Sequence, residues 1–220
     1  MPLNNIANLS EQIADHITEK IIRLEIRPGE RIMEASIADE LKVSRSPIRE
    51  ALRILEKNRL VELIPRRGAR VTELSETNIV QLCDVLASLF RLMARQCVEN
   101  ATTENLETID AAAKKSQACV VREDVYGYYT ALFGFAVAAL KATHNPLLEQ
   151  VIHQLLPNVR RIIYASFSLQ KETLERNVAV VMTGNRYLQA RNAKMAELEV
   201  ADYIKKAKAF ALENNIFPTS

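Results

Sequence analysis

The chain has 220 residues, of which 48% are hydrophobic and 25% are charged, and its net charge is +2. A chain of this composition is not disordered, and its length allows one large domain or two smaller ones. Only five residues are glycine and 5% are aromatic, which argues against an all-β sandwich or barrel. We therefore expect a mainly α protein.

The charge is unevenly distributed along the chain. Residues 42–72 hold nine basic and three acidic side chains, a net charge of +6, which leaves −4 for the rest. A short basic segment on a nearly neutral chain is the electrostatic pattern of a polyanion-binding protein. The pattern therefore predicts a contact between this segment and nucleic acid.

The cysteines and the apolar runs indicate the cellular compartment in which the protein is expected. Three cysteines without a C-x-x-C pair are typical of reduced thiols rather than of a disulfide framework. The first residues lack the basic and apolar regions of a secretory signal. The longest uncharged run, Val125–Leu140, is shorter than the roughly 20 residues that cross a bilayer. We expect a cytoplasmic protein with no membrane partner.

The distribution of proline and glycine predicts two domains. Several of these residues interrupt the chain before residue 75, whereas no proline occurs from Arg66 to Asn145. A long stretch without proline permits long helices. We place the boundary at Thr72–Thr77, so that residues 1–75 form one domain and residues 76–220 form a second, all-helical one.

The first domain begins with two predicted helices. Ser10 is a suitable N-cap for the first, and apolar residues follow at helical spacing. They are Ile13, Ile17, Ile21 and Leu24. Arg27-Pro28-Gly29 ends this helix, and a second, short helix covers Glu34–Leu41.

A third helix carries a basic stripe. Ser44 is its predicted N-cap, and Pro47 lies in the first turn, where proline is tolerated. Arg45, Arg49 and Arg53 follow at positions i, i+4 and i+8, which places them on one face. Such a stripe by itself usually marks a solvated helix face.

A basic β-hairpin follows the third helix. Its predicted strands are Leu60–Ile64 and Ala69–Thr72, and Pro65-Arg66-Arg67-Gly68 forms its tip. Gly68 permits a positive φ and a close approach of the backbone. A basic helix fits the major groove of DNA, so the two helices, the basic helix and the hairpin together predict a winged helix-turn-helix rather than a solvated face.

The run PGERIMEASIADELKVSRSPIREALRILEKNRLVELIPRRGARV resembles the DNA-binding domain of GntR-family bacterial transcription regulators, and within them the FadR-like group. The resemblance covers about residues 9–73. It differs at Lys42, where the family often has glycine, and at Ala35, where some relatives have a DNA-contacting arginine.

The resemblance implies which residues contact DNA. In the third helix, Arg45 and Arg49 would read guanines, and the whole contact set there is Ser44, Arg45, Ser46 and Arg49. In the hairpin, the implied contacts are Arg66, Arg67 and Gly68.

The second domain is predicted to be a bundle of six or seven helices, with Pro157 marking a kink or break. The predicted helices are Asn78–Ala101, Thr103–Val121, Asp124–Thr143, Pro146–Ser166, Lys171–Thr183 and Arg186–Asn214. The resemblance identifies this bundle as an FCD-type domain for effector binding and dimerisation.

Many relatives hold a divalent metal in this domain through an acidic residue and three histidines. Carried over one by one, those positions fall on Leu132, on Ala136, on Arg176 or Asn177, and near Leu198, and none is a metal ligand of the expected kind. We therefore expect no metal cofactor.

The effector-binding arginine of the family falls on Leu86. Without that arginine and without a metal, the pocket would be largely apolar and would suit an apolar or amphipathic effector, such as an acyl or aromatic acid derivative. The alternative is that the aromatic residues simply pack in the core. The candidate pocket residues are Leu86, Tyr129, Leu132, Phe133, Ala136, Arg176 and Asn177.

None of four common enzyme motifs is present: the sequence lacks G-x-G-x-x-G, G-K-[ST], G-x-S-x-G and H-E-x-x-H. The function that we expect is sequence-specific transcription regulation. A homodimer would bind a pseudo-palindromic operator in double-stranded DNA, with an affinity that a small-molecule effector changes. Repression is the expected outcome, and the sequence leaves activation open as the alternative. The alternative is a ligand-insensitive DNA-binding or scaffold protein whose helical domain only dimerises.

Overall fold

The computed structural model describes residues 4–65, 67–169, 173–214 and 216. Their contacts divide the chain into two compact units. The first consists of the residues up to Ser75 together with Gln154–Ala165, and the second of Glu76–His153 and Ser166–Ile216. The division after Ser75 falls where the proline pattern placed the domain boundary, but the first unit also includes part of a later helix.

In the part of the first unit that precedes Glu76, the described residues form three helices and a small sheet. Its elements are α1 (Asn4–Ile22), β1 (Arg31–Ile32), α2 (Glu34–Leu41), α3 (Arg45–Lys57), β2 (Val61–Ile64) and β3 (Gly68–Val71). One apolar cluster joins the helices to the sheet, because each helix buries its apolar stripe there. Its least exposed members are Ile17, Ile48, Ala51, Leu55, Leu60, Ala69 and Val71.

The predicted limits of the first helix are wrong at both ends. α1 begins at Asn4, and Ser10 lies inside it with only 3% of its surface exposed. No proline or glycine follows Pro2 before Ser10, so nothing in the sequence prevents the helix from starting earlier. The helix also ends at Ile22, before Leu24, whose φ of +60° is not helical.

The sheet has three strands rather than the two of the predicted hairpin. Its order is β1-β3-β2, and both pairs are antiparallel. The additional strand, β1, pairs Ile32 with Ala69. A two-residue strand shows no alternation of apolar and polar residues, which is why the sequence pattern did not reveal it.

The second unit is all-helical in the part of the chain that is described, as expected. Its helices are α4 (Glu76–Asn100), α5 (Thr103–Val121), α6 (Val125–Lys141), α7 (Pro146–Leu169), α8 (Thr173–Gln189) and α9 (Ala193–Glu213). α4 packs against α9, and α5 packs against α6 and α8. Side chains cap four of the described starts: Thr102 with Asn105 for α5, Asp124 for α6, Asn145 for α7 and Asn192 for α9.

Of the kink or break predicted at Pro157, the break is wrong, because α7 continues through this residue as one helix. One predicted helix end is also wrong. α8 runs past Gly184 to Gln189, whereas a break was expected between Thr183 and Arg186. The turn comes later because Asn192 accepts a hydrogen bond from the Met195 amide at 3.1 Å and starts α9, while a single glycine is tolerated inside a helix.

α4 is long and apolar enough, by length and composition, to cross a bilayer. The core helices of soluble proteins share this property. In the second unit α4 packs against α6, α8 and α9, and its Asp84 accepts a hydrogen bond from Lys208 of α9 at 2.7 Å. α4 is therefore a packed helix of the bundle.

Candidate nucleic-acid interface

Helix α3 separates its apolar side chains from its basic ones. Pro47 and Ile48 are buried, whereas Arg45, Arg49 and Arg53 are all exposed. This separation follows from the helical spacing of the two sets. The basic stripe predicted from the sequence is therefore present on the outer side of the helix.

The start of α3 is also exposed. Ser44 lies just before the helix with extended backbone (φ −70°, ψ 163°), although its side chain makes no capping hydrogen bond to the described residues. Ser46 is exposed in the first turn. The structure thus brings the four predicted contact residues of this helix together on one accessible end: Ser44, Arg45, Ser46 and Arg49.

Two of the three stripe arginines are held by carboxylates. The Arg49 Nε donates to both oxygens of Glu34 on α2, at 2.8 and 3.0 Å. Arg53 Nη1 donates to Glu50 at 2.6 Å, one turn earlier on the same helix. Both ion pairs are exposed, and exposed ion pairs contribute little to the free energy of folding. Their main effect is to fix the orientation of the two guanidinium groups.

The wing is the loop between β2 and β3. The Arg67 amide donates to the Ile64 carbonyl at 3.0 Å and closes the turn, and the Arg67 side chain is exposed. Arg66, another predicted contact, lies outside the described residues. The wing therefore presents at least one basic side chain beside α3.

Gly68 has the positive φ that the hairpin tip was expected to need, +86°. The close approach of its backbone, however, is to another strand: a Cβ here would lie 2.2 Å from the Ile32 carbonyl oxygen of β1. Glycine is therefore required for β1 to pair with β3, and this requirement is independent of DNA.

A groove of about 330 Å³ lies between α2, α3 and the wing. It is mixed in character, because apolar side chains form its floor beside one carboxylate and two guanidinium groups. Its lining residues are Glu34, Arg49, Leu52, Arg53, Leu63, Ile64, Pro65 and Gly68. Two of these residues, Arg49 and Gly68, belong to the set that the sequence assigned to DNA contact.

Residues of α7 support the ends of this interface within the first unit. Asn158 donates to the carbonyl of Asn58, the C-cap of α3, at 3.2 Å. Arg161 donates to the Thr72 carbonyl, just after β3, at 2.9 Å and to the Thr72 hydroxyl at 3.2 Å. Arg160 bonds Glu19 of α1 at 2.6 Å.

Arg161 is fully buried, and burial lowers the pKa of its guanidinium to about 10. The group is therefore still charged near neutral pH, and its hydrogen bonds offset the cost of burial. Sequence reasoning missed this residue, because its partner Thr72 lies 89 positions away.

The predicted effector residues lie on three helices that contact one another, α4, α6 and α8. Leu86, Tyr129 and Leu132 are buried, and the rings of Tyr129 and Phe133 are 5.1 Å apart. Ala136 and Asn177 are half-buried, whereas Arg176 is exposed. Arg176 is therefore the member of the set that the structure places in solvent.

Tyr128 was not among the predicted pocket residues. It is fully buried on α6, its ring is 5.4 Å from that of Phe167, and its hydroxyl has no hydrogen-bond partner among the described residues. Burial raises the pKa of Tyr128, with a smaller contribution from Tyr203, so the phenol stays neutral. A buried hydroxyl without a partner is uncommon.

The positions on which the resemblance places the family's metal ligands lie in different surroundings. Leu132 is buried, Ala136 is half-buried, and Leu198 is half exposed. Across the described ranges, no three His, Cys, Asp or Glu side chains form a group that could hold a metal ion. His144 bonds Asn105, and His153 lies near Glu149.

These features define a class of protein. A helix-turn-helix with an arginine stripe, a basic wing and a separate helical bundle are the parts of a DNA-binding transcription regulator, not of an enzyme. The family model described as bacterial regulatory proteins, gntR family, matches residues 9–71, and the FCD domain model matches residues 81–205. The chain belongs to the GntR family and carries an FCD effector-binding domain.

Curated relatives are transcription regulators. The gluconate operon transcriptional repressor of Bacillus subtilis is 25% identical over 191 residues, which are 86% of this chain and 77% of that protein. The uncharacterized HTH-type transcriptional regulator YdhC of the same species is 29% identical over 109 residues, 50% of this chain and 49% of that protein.

Solved structures share the fold over nearly the whole chain. The E. coli protein McbR/YncC has a TM-score of 0.84 at 18% identity, covering 94% of this chain and 98% of that one. A GntR transcriptional regulator from Rhodococcus sp. RHA1 has a TM-score of 0.76 at 22% identity, covering 93% and 97%. At these identities the likeness concerns the fold alone.

Proposed function

We propose that the protein is a cytoplasmic, homodimeric repressor that binds a pseudo-palindromic operator in double-stranded DNA. Residues 1–75 would bind DNA, and residues 76–220 would bind an effector and dimerise. The observation that carries the proposal is the exposed arginine stripe at the start of α3, whose opposite face is buried. A relative that is named as an operon repressor supports the direction of the control.

We propose two main kinds of DNA contact, with the residues that the family resemblance implies. Arg45 and Arg49 on α3 would read guanines in the major groove, where an arginine bonds O6 and N7 together. Arg66, Arg67 and the backbone at Gly68 would contact the DNA backbone. Ser44 and Ser46 would bond phosphates or base edges near the N-terminus of the helix.

Replacing Arg49 by alanine should weaken binding to the preferred operator by about 1–3 kcal/mol, which is about 5- to 150-fold, and should relax the base preference at one position of each half-site. The measurement is fluorescence anisotropy with the best duplex and with duplexes substituted at single positions. Lys114→Ala, an exposed basic residue on α5, is the control. Equal losses for the two variants would contradict the assignment of α3.

Replacing Arg67 by alanine should have a different effect. A phosphate contact carries no sequence information, so all duplexes should bind more weakly by a similar factor. The slope of log K against log salt should fall in magnitude by about one unit. Titrations at three salt concentrations measure this, and an unchanged slope would mean that the wing does not touch phosphate.

We further propose that the effector is apolar or amphipathic and binds without a metal. The family's effector-binding arginine falls on the buried Leu86 of α4, and α4 contacts α6, which carries the rings of Tyr129 and Phe133. The pocket would include Leu86, Tyr129, Leu132, Phe133, Ala136 and Asn177, with Arg176 at its edge. The Tyr128 hydroxyl is an additional polar group that an oxygen of the effector would satisfy.

Thermal-shift assays test this part, because a ligand that binds only the folded state raises Tm by mass action. We expect octanoate or phenylacetate to raise Tm and to change operator affinity, and gluconate to do neither. No shift with any compound would favour the alternative in which the helical domain only dimerises. Tight stoichiometric binding of Zn²⁺ or Ni²⁺ in calorimetry would contradict the metal-free pocket.

A further inference from the structure

The Arg49–Glu34 pair has a particular geometry. Both carboxylate oxygens of Glu34 lie within 3.0 Å of Arg49 Nε. In the part of the chain that the structure describes, Arg49 makes its hydrogen bonds and its ion pair through Nε and not through the terminal nitrogens Nη1 and Nη2. The Arg49 side chain is 61% exposed and that of Glu34 is 23% exposed. The carboxylate therefore occupies one edge of the guanidinium and leaves the fork of terminal nitrogens accessible.

We propose that Glu34 is a positioning residue for sequence readout. By holding Nε, it fixes the plane of the Arg49 guanidinium so that Nη1 and Nη2 together match O6 and N7 of one guanine. A long, flexible arginine otherwise loses conformational freedom when it binds, and fixing it beforehand reduces that loss. This inference rests on the proposed role of Arg49 as a base-reading residue.

The position of Glu34 supports this role. Glu34 is the first residue of α2 and lines the groove between α3 and the wing. A carboxylate on a surface that faces DNA opposes binding to phosphates, which dominate affinity for any sequence. Glu34 therefore weakens the binding of DNA of any sequence. Its contact with Arg49 improves the discrimination between bases, which is the advantage of having a carboxylate at this position.

Opposite effects on two measured quantities follow. Glu34→Gln should lower the preference for the best base pair at the Arg49 position about tenfold. The same variant should bind a duplex without the motif about threefold more tightly, because one negative charge is removed. Glu34→Asp keeps the charge but shortens the side chain, so it should lose discrimination without gaining general affinity.

The chain offers a matched control. Glu50 pairs with Arg53 at 2.6 Å on the same exposed side of α3. Glu50→Gln removes the same charge from the same region, so it should tighten general binding to a similar extent. Because Glu50 does not hold Arg49, the discrimination at the Arg49 position should not change.

The experiment uses the full chain and a library of random-sequence DNA duplexes. Wild type and each variant are incubated with the library, the bound DNA is sequenced, and affinities are then measured for the best duplex, its single substitutions and a motif-free duplex. Circular dichroism and Tm of every variant show whether it is folded. In the double variant Glu34→Gln with Arg49→Ala, discrimination should be no lower than with Arg49→Ala alone.

The outcomes separate the proposals. If wild type enriches no motif, the proposed function fails. If wild type enriches a motif and a folded Glu34→Gln variant keeps the same discrimination, Glu34 has only a structural role and this inference is wrong. If Glu34→Gln binds the best duplex more tightly and discriminates as well as wild type, Glu34 competes with DNA for Arg49, which also overturns the inference.

Discussion

Replacing Arg161 by methionine is expected to lower the free energy of unfolding by about 3–5 kcal/mol. The guanidinium is fully buried and donates to the carbonyl and hydroxyl of Thr72 and to Asn158. Methionine fills a similar volume with a flexible apolar chain, so the loss reports the hydrogen bonds rather than a cavity. The acceptors lose their charged donor and cannot all reach water.

The effect should extend to the DNA-binding surface. Thr72 follows β3, and its hydroxyl also donates to the carbonyls of Arg59 and Leu60 just before β2. Asn158, the other partner of Arg161, bonds Asn58 at the end of α3. Arg161 thus supports both chain segments at the base of the wing.

Urea unfolding of the full chain measures the loss. Arg160→Met is the neighbouring control. The Arg160 side chain is 26% exposed and its guanidinium bonds Glu19 at 2.6 Å, so this substitution should cost about 1 kcal/mol. If Arg161→Met costs no more than Arg160→Met, the buried guanidinium does not stabilise the first unit.

Replacing Gly68 by alanine is expected to cost about 2–5 kcal/mol. The φ of Gly68, +86°, is unfavourable for a residue with a Cβ. That Cβ would also lie 2.2 Å from the Ile32 carbonyl oxygen, so β1 would have to move away from β3. Because the added Cβ would clash with backbone atoms, no flexible side chain could move aside to relieve the clash.

Gly134 of α6 is the matched control for this substitution. Nothing lies within 4 Å of the Cβ that alanine would add there, and the backbone is helical. Gly134→Ala should therefore stabilise the protein by about 0.5–1 kcal/mol. Thermal unfolding of both variants measures the difference, and a Gly68→Ala protein as stable as wild type would show that β1 does not require glycine at this position.

The elements that local signals define were predictable. The predicted limits of α5 and α2, Thr103–Val121 and Glu34–Leu41, agree with the structure. Thr102 supplies a capping box at the start of α5, and Pro47 is accommodated in the first turn of α3. Caps and apolar periodicity act within a few residues, so a single sequence reveals them.

The features that the sequence did not predict depend on contacts between residues that are distant in sequence, or are very short elements. β1 has two residues and exists because it pairs with β3. Buried Arg161 donates hydrogen bonds to Thr72, which is distant in the sequence. Arg49 is oriented by a hydrogen bond to Glu34, which lies on the preceding helix. The arginine stripe could be located from its spacing, but its partners required the fold.

The most direct test of the central claim, sequence-specific DNA binding by the winged domain, is selection of genomic DNA by the purified protein. Fragments of the source genome are incubated with the full chain, and the retained fragments are sequenced at several salt concentrations. We predict a small set that shares a pseudo-palindrome and persists as salt is raised, since base contacts add to the phosphate contacts. Equal retention of all fragments, lost together with salt, would contradict the account.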